Sequence, residues 1–248
     1  MARLVIYGIH AINAVLRRRP DRVVHIWRDD KRKDARLVDL ETRARQLDLA
    51  VSGCDAHKLD ALTGSGHHQG VAAEVRALSI QSEQDLTPFV RQLDTPALLL
   101  LLDGVQDPRN LGACLRSADA AGVDAVILPK DRACPVNATV HKVASGAAGL
   151  IPIFRIPNLA RAMQRLQGEG IWLVGTAADG PQPLYEARLD GPLGLVLGGE
   201  DRGLRRLTRE RCDELVRIPM RGFVSSLNVS VAAGVCLFEA RRQRHDTA

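Results

Sequence analysis

The run Ala97-Leu-Leu-Leu-Leu-Leu-Asp103, continued by Gly-Val-Gln-Asp107-Pro-Arg109-Asn110-Leu-Gly112-Ala-Cys-Leu-Arg116-Ser-Ala-Asp-Ala-Ala-Gly122, decides the fold class. Five consecutive leucines have no polar face, so a strand made of them must be covered on both sides, as strands of parallel sheets are. The polar loop that follows leads into a helical pattern with Leu111, Leu115 and Ala118 inward and Gly122 at its end. Asn110 reads as the N-cap of that helix. The same texture recurs at Ala125-Val-Ile-Leu128, Ile171-Trp-Leu-Val174, Leu193-Gly-Leu-Val-Leu197 and Leu215-Val-Arg-Ile218, each separated from the next by a helical pattern. Residues 83–248 therefore read as an α/β domain with a parallel sheet.

Upstream the pattern is different. Val23-Val-His-Ile-Trp27, Leu49-Ala-Val51 and Gly70-Val-Ala-Ala-Glu-Val75 are short β-like runs, and Leu37, Leu40, Ala44 and Leu47 fall at helical spacing. Residues 1–76 read as a small α/β domain, and the weakly apolar stretch 77–82 as a linker. Ser82-x-x-Asp85 predicts a capped helix just beyond it. The loop Thr63-Gly-Ser-Gly-His67-His68-Gln69-Gly70 reads as mobile, with three side chains free to hydrogen-bond.

Composition narrows the function. The 248 residues are 46% hydrophobic, ordinary for a globular protein, and no apolar run suits a membrane span or a signal core, so the cytoplasm is expected. Cys54, Cys114, Cys134, Cys212 and Cys236 form no C-x-x-C pair, which gives no zinc or redox signature and predicts no metal. Lys and Arg number 34 against 29 Asp and Glu, a net charge of +5 that suits a polyanion. The Arg17-Arg18-Arg19 run and the Lys31-Arg32-Lys33 triplet concentrate that charge in the small domain. Aromatic residues make up only 3%, which favours contacts with RNA phosphates and shape over a base-stacking platform. There is no G-x-x-x-x-G-K-[ST] and no G-x-G-x-x-G, which argues against a nucleotide triphosphatase, a dinucleotide dehydrogenase and a Rossmann-type methyltransferase.

Two further polar clusters follow apolar strands. Leu197-Gly198-Gly199-Glu200-Asp201-Arg202-Gly203 pairs glycines, which allow a ligand close to the backbone, with one carboxylate. Ile218-Pro-Met220-Arg-Gly-Phe-Val-Ser225-Ser226-Leu227-Asn228 then enters a helix in which Leu227, Val231, Val235 and Phe238 recur as an apparent buried stripe. A serine nucleophile would need the strained G-x-S-x-G turn, and Val-Ser-Ser-Leu-Asn does not supply it. All three clusters lie at strand carboxyl ends of one sheet, where ligands of such sheets bind.

Asn110-x-Gly112 with Arg116, Leu197-Gly-Gly-Glu200-x-x-Gly203, and Ile218-Pro-Met220 with Ser226-Leu-Asn228 resemble the three motifs of the SpoU (TrmH-like) branch of the SPOUT RNA 2′-O-ribose methyltransferases. The runs around Asn110 and Ser226, with His68-Gln69-Gly70 before a strand, are most similar to members acting on a guanosine of 23S ribosomal RNA. The resemblance spans nearly the whole chain. It implies a trefoil-knotted C-terminal domain holding S-adenosylmethionine, a small N-terminal RNA-binding domain of the ribosomal-protein-L30 type, and a homodimer. The implied substrate is 23S ribosomal RNA or a large-subunit assembly intermediate, with no membrane partner. By motif position Arg116, Asn110, Glu200, Ser226 and Asn228 are the catalytic set, and Gly199, Ile218, Met220 and Leu227 meet the cofactor. His67, His68, Gln69 and Arg109 are expected to contact RNA.

Since a guanidinium keeps its proton in water, Arg116 is expected to act with help from an RNA phosphate or by stabilising the developing alkoxide. Glu200 is expected to orient Arg116 or touch RNA, while Asn110, Ser226 and Asn228 position the ribose and loop backbone. Three departures stand out: Arg109 where close relatives often have His, Asp201-Arg202 for a glycine-containing pair, and Gly149 where Glu is usual. The alternatives are the same chemistry on a transfer RNA, or a non-catalytic ribosome-assembly factor. The separate N-terminal domain argues against the first, and the presence of Arg116 and Asn228 against the second.

Overall fold

The computed structural model describes residues 3–76, 78–200 and 203–245, with the side chains of Arg18 and His245 excepted. Asp201, Arg202 and Ala77 therefore lie outside the described residues. The chain forms two compact units that divide between Ser79 and Ile80.

The first unit runs β1 (Arg3–Tyr7), α1 (Ile9–Arg18), β2 (Val23–Asp29), α2 (Ala35–Gln46), β3 (Val51–Cys54), α3 (Ala56–Thr63) and β4 (Val71–Arg76). Its sheet has the order β1-β4-β2-β3, antiparallel at both faces of β4 and parallel between β2 and β3. Asp34 and Asp55 cap α2 and α3 through the backbone N–H groups of Arg36 and Lys58.

The loop before β4 is tied down, contrary to the expectation of a mobile one. Gln69 sits at φ 55°. Its Oε1 accepts from the Ile9 backbone N–H at 3.0 Å and satisfies an open donor at the start of α1. His68 is 6% exposed; its Nδ1 accepts from the Gly70 N–H at 3.0 Å and its Nε2 lies 3.3 Å from Asp60 Oδ1. Both ring nitrogens of His68 and the side-chain oxygen of Gln69 are thus spent inside the fold. These two side chains therefore anchor the loop, while Gln69 stays exposed and its amide nitrogen is not engaged by that bond. His67 is exposed and remains available.

The second unit runs α4 (Glu83–Arg91), β5 (Leu98–Asp103), α5 (Pro108–Ala121), β6 (Ala125–Pro129), α6 (Ala138–Val143), β7 (Ile153–Ile156), α7 (Leu159–Gly168), β8 (Trp172–Thr176), β9 (Gln182–Pro183), β10 (Leu193–Gly198), α8 (Arg206–Glu210), β11 (Glu214–Arg217) and α9 (Val229–His245). All seven strands are parallel, in the order β7-β6-β5-β10-β8-β11-β9. The leucine run behaves as its pattern requires. Leu98, Leu100 and Leu102 pack with Leu111, Leu115 and Ala118 of α5 and with Ala233, Leu237 and Ala240 of α9. Leu99 and Leu101 face the other way, onto Leu86 and Val90 of α4 and Met163 and Leu166 of α7.

Ser82 and Asp85 form the capping box of α4. Just before it, the Gln81 backbone bonds to β7 at Ile153 O (2.8 Å) and Arg155 N (3.0 Å), lengthening that sheet edge. Three strands have no counterpart among the runs read from sequence: β1, β7 with its polar Arg155, and the two-residue β9. The α9 stripe is also corrected. Val229, Ala233, Cys236, Leu237 and Ala240 are buried, whereas Val231 and Phe238 are 51% and 53% exposed and Leu227 precedes the helix. Among the described residues no helix is long and apolar enough to cross a membrane.

Candidate functional site

Four strands that are neighbours in the sheet, β5, β10, β8 and β11, deliver their following loops to one edge. Helix α5 begins earlier than its sequence suggests. Asp107 is the cap, its Oδ1 accepting from Arg109 N at 2.7 Å, and Pro108 takes the first helical position. Asn110 is therefore not the N-cap but lies inside the first turn, and its amide is free for other partners. Its Nδ2 donates to Glu200 Oε1 at 2.6 Å and its Oδ1 accepts from Asn228 Nδ2 at 3.0 Å. Asn228 in turn caps α9, its Oδ1 accepting from the Ser230 N–H (2.9 Å) and hydroxyl (2.6 Å). One chain of side chains, Glu200–Asn110–Asn228–Ser230, thus joins all three motifs.

Glu200 is consequently held by Asn110 and not by Arg116, against the expected pairing. Arg116 is exposed on α5 and has no hydrogen-bond or ion-pair partner among the described residues. Nearby Cys114 is no nucleophile, because burial, with the charge of Glu200 adding to it, pushes its thiol up to about 12. The side chain of Arg109 is exposed. Gly149 is buried in a tight turn, its N–H donating to Gly146 O at 3.0 Å.

Beside the network lies a cavity of about 450 Å³, within the range of small-molecule sites. Gly198, Gly199, Glu200, Gly203 and Leu204 line it from the β10 side, Ile218, Met220, Ser225, Ser226 and Leu227 from the β11 side, and Val229 and Ala232 from α9. Gly199, Ile218, Met220 and Leu227, the expected cofactor contacts, are brought together there with Ser226; Asn110, Arg116 and Asn228 do not line it. The end of β8 and the loop after it complete the wall with Thr176, Ala177, Ala178 and Asp179, joined by Arg209 from α8. Sequence reading missed this side. The signal was present, since Ile171-Trp-Leu-Val174 was recognised as a strand and its carboxyl end falls on the same edge.

The paired glycines are also required by the packing of the loops. A Cβ on Gly198 would lie 2.0 Å from Gly203 C, and one on Gly199 2.4 Å from Gly104 O. They let loops of the protein interlock at the wall of the cavity that they line. Asp103 fixes the same junction: its buried carboxylate accepts from Arg205 N (2.9 Å) and Nε (2.5 Å) and pairs with Nη2. Gly112 serves packing as well, because a Cβ there would meet Val143 Cβ of α6 at 2.7 Å.

The donor set fits S-adenosylmethionine. Aliphatic side chains and close-lying backbone suit an adenosine, while the carboxylates of Asp179 and Glu200 suit a cationic ligand. Residues 97–238 match the model of the SpoU rRNA Methylase family, and residues 5–81 the model for RNA 2′-O ribose methyltransferase substrate binding. The 23S rRNA (guanosine-2′-O-)-methyltransferase RlmB of Vibrio parahaemolyticus is 51% identical over 244 residues, 98% of each chain. RlmB of Escherichia coli K12 is 52% identical over 240 residues, 97% of this chain and 98% of its own. Among solved structures, the SpoU methyltransferase AviRb from Streptomyces viridochromogenes, in complex with the cofactor AdoMet, superposes with a TM-score of 0.67 at 25% identity, covering 98% of this chain and 91% of its own. A domain match over 97–238 and end-to-end identity of this kind establish the family: the chain belongs to the SpoU rRNA methylases.

Proposed function

We propose that this protein transfers the methyl group of S-adenosylmethionine to the ribose 2′-hydroxyl of a guanosine in 23S ribosomal RNA, in the cytoplasm. The observation that carries this reading is the 51% identity to an RlmB over 98% of both chains. Residues 1–76 capture RNA, with His67, Arg17, Arg19 and the Lys31-Arg32-Lys33 triplet exposed, and residues 83–248 hold the cofactor and the reaction, with Arg109 on α5 as a further RNA contact; the stretch 77–82 joins the two.

The bound cofactor supplies an electrophilic methyl on a sulfonium, and the chain's task is to align and activate a poor nucleophile. Asn110, clamped between Glu200 and Asn228, holds the loops after β5 and β10 at a fixed spacing. Ser226 positions the ribose at the cavity wall. Arg116, exposed and unpartnered among the described residues, meets the RNA phosphate and stabilises charge developing on the 2′-oxygen.

A homodimer is part of this reading. Val231 and Phe238 are exposed on α9 while the opposite face of that helix packs on α5, which leaves an apolar surface suited to a second copy. Phe238→Glu should convert a dimer into a monomer in analytical ultracentrifugation. The test of function is ribose-methylation mapping on 23S ribosomal RNA from a deletion strain. One guanosine methyl should vanish and return with the wild-type gene but not with Arg116→Ala. An unchanged methylation pattern would refute the assignment, and a loss on a transfer RNA would redirect it.

A further inference from the structure

The charged side chains lining the cavity are Asp179, Glu200 and Arg209. Glu200 is taken up by Asn110. Asp179 and Arg209 instead face each other as a bidentate pair, Nη1 to Oδ1 at 2.8 Å and Nη2 to Oδ2 at 2.9 Å. Their side chains are 71% and 39% exposed, so the pair sits at the open part of the wall and not in the core. A surface ion pair of this kind contributes little to stability, yet its placement is firm. The Asp179 loop is held by Ala177 N to Val216 O (2.9 Å) and Gly180 N to Ala177 O (3.0 Å), and a Cβ on Gly180 would lie 2.6 Å from the Val216 carbonyl carbon.

A guanidinium has five N–H donors, of which Asp179 engages two, and each carboxylate oxygen keeps a lone pair after accepting one bond. The pair therefore presents unused donors beside unused acceptors. That is the complement of an α-amino acid, which carries a carboxylate and an ammonium on one carbon. We infer that Asp179 and Arg209 together hold the amino-acid end of S-adenosylmethionine, Arg209 donating to its carboxylate and Asp179 accepting from its ammonium. Arg209 is the single cation among the described lining residues, and the carboxylate is the single anion of the ligand. The inference rests on placing the cofactor in this cavity.

The test is calorimetry on the full chain with S-adenosylhomocysteine and with 5′-methylthioadenosine, which keeps the adenosine and the sulfur but lacks the amino-acid end. Arg209→Ala should weaken S-adenosylhomocysteine by about 10- to 100-fold, the range for a lost charge-assisted bond. It should alter 5′-methylthioadenosine by less than about threefold, since the ion pair itself adds little. Asp179→Asn, which keeps the shape, should show the same selectivity in weaker form, and Arg209→Lys should restore part of the lost affinity. Equal weakening of both ligands, or of neither, would overturn the inference. A wild-type chain that binds neither would overturn the placement of the cofactor and the inference with it.

Discussion

Replacing Gly199 by alanine tests whether the second motif acts through interlocked loops. The added Cβ would stand 2.4 Å from Gly104 O and 2.9 Å from Gly104 C, both backbone atoms that no rotamer change can move. Ordinary contact begins near 3.4 Å, so the loops after β5 and β10 must part by about 1 Å (3.4 − 2.4). Overpacking of this kind costs about 1–3 kcal/mol. The same displacement stretches the Asn110–Glu200 bond from 2.6 Å to roughly 3.6 Å, beyond hydrogen-bonding range, and a misplacement of about 1 Å can reduce turnover ~100-fold. The control is Gly203→Ala. Nothing lies within 4 Å of its Cβ position, but φ is +62°, so the cost is about 1–2 kcal/mol of backbone strain without a clash. Thermal unfolding should show similar losses for the two variants. In single-turnover methylation of a 23S RNA fragment Gly199→Ala should fall about 100-fold and Gly203→Ala far less. A Gly199→Ala protein within about twofold of wild type, or equal losses in the two variants, would refute the argument.

Arg205→Ala strands the buried Asp103 carboxylate with one backbone N–H as its partner. The expected loss is near the lower end of the ~3–5 kcal/mol for a broken buried pair, read as a lower unfolding midpoint in urea together with weaker cofactor binding. Asn228→Ala removes the cap of α9 and one clamp on Asn110. It should cost about 1 kcal/mol of stability and lower turnover while calorimetry finds cofactor affinity nearly unchanged. Glu83, chelated by Arg161 at 3.0 and 2.8 Å, has its carboxyl held below the usual range chiefly by that bond. A depressed pKa stabilises the fold above the unfolded value of about 4.3 and ceases to do so as pH falls through the folded value. Glu83→Gln should therefore be less stable than wild type at pH 7, with the gap closing in acid unfolding titrations.

How much of this was legible beforehand depends on the distance over which each contact acts. The leucine run announced a doubly covered strand, and Gly122, at φ 72°, ended α5 as its position suggested. Local signals were misread where two competed. Asp107-Pro108 is a stronger helix start than Asn110, because proline favours the first helical position and aspartate caps it. On α9 the apolar residues run nearly all round, so periodicity could not choose a face. The inward face was decided by size, with Ala233, Ala240 and the absent side chain of Gly234 permitting close approach to α5, where Ser117 Oγ lies 3.8 Å from the Gly234 Cβ position. Contacts between residues far apart left no trace in the sequence. Asn110 and Asn228 are 118 positions apart, and Asn110 and Glu200 are 90 apart.

The division of labour among the motif residues follows from which of them already have partners. Glu200, Asn110 and Asn228 direct their polar groups at one another, and Asn228 also at Ser230. Side chains bonded to one another in this way are stiff and set the spacing of loops, and among the described residues the second oxygen of Glu200, at the cavity wall, stays open to a ligand. Arg116 is the opposite case, exposed and unpaired among the described residues. Hydrated as it stands, its guanidinium gains strength as an electrostatic group only when a substrate phosphate displaces that water and lowers the local dielectric. Under the proposed reading the cofactor cavity is therefore formed by the chain alone, whereas the activating arrangement is completed by RNA. Cofactor affinity should then be indifferent to Arg116, and turnover should depend on it entirely.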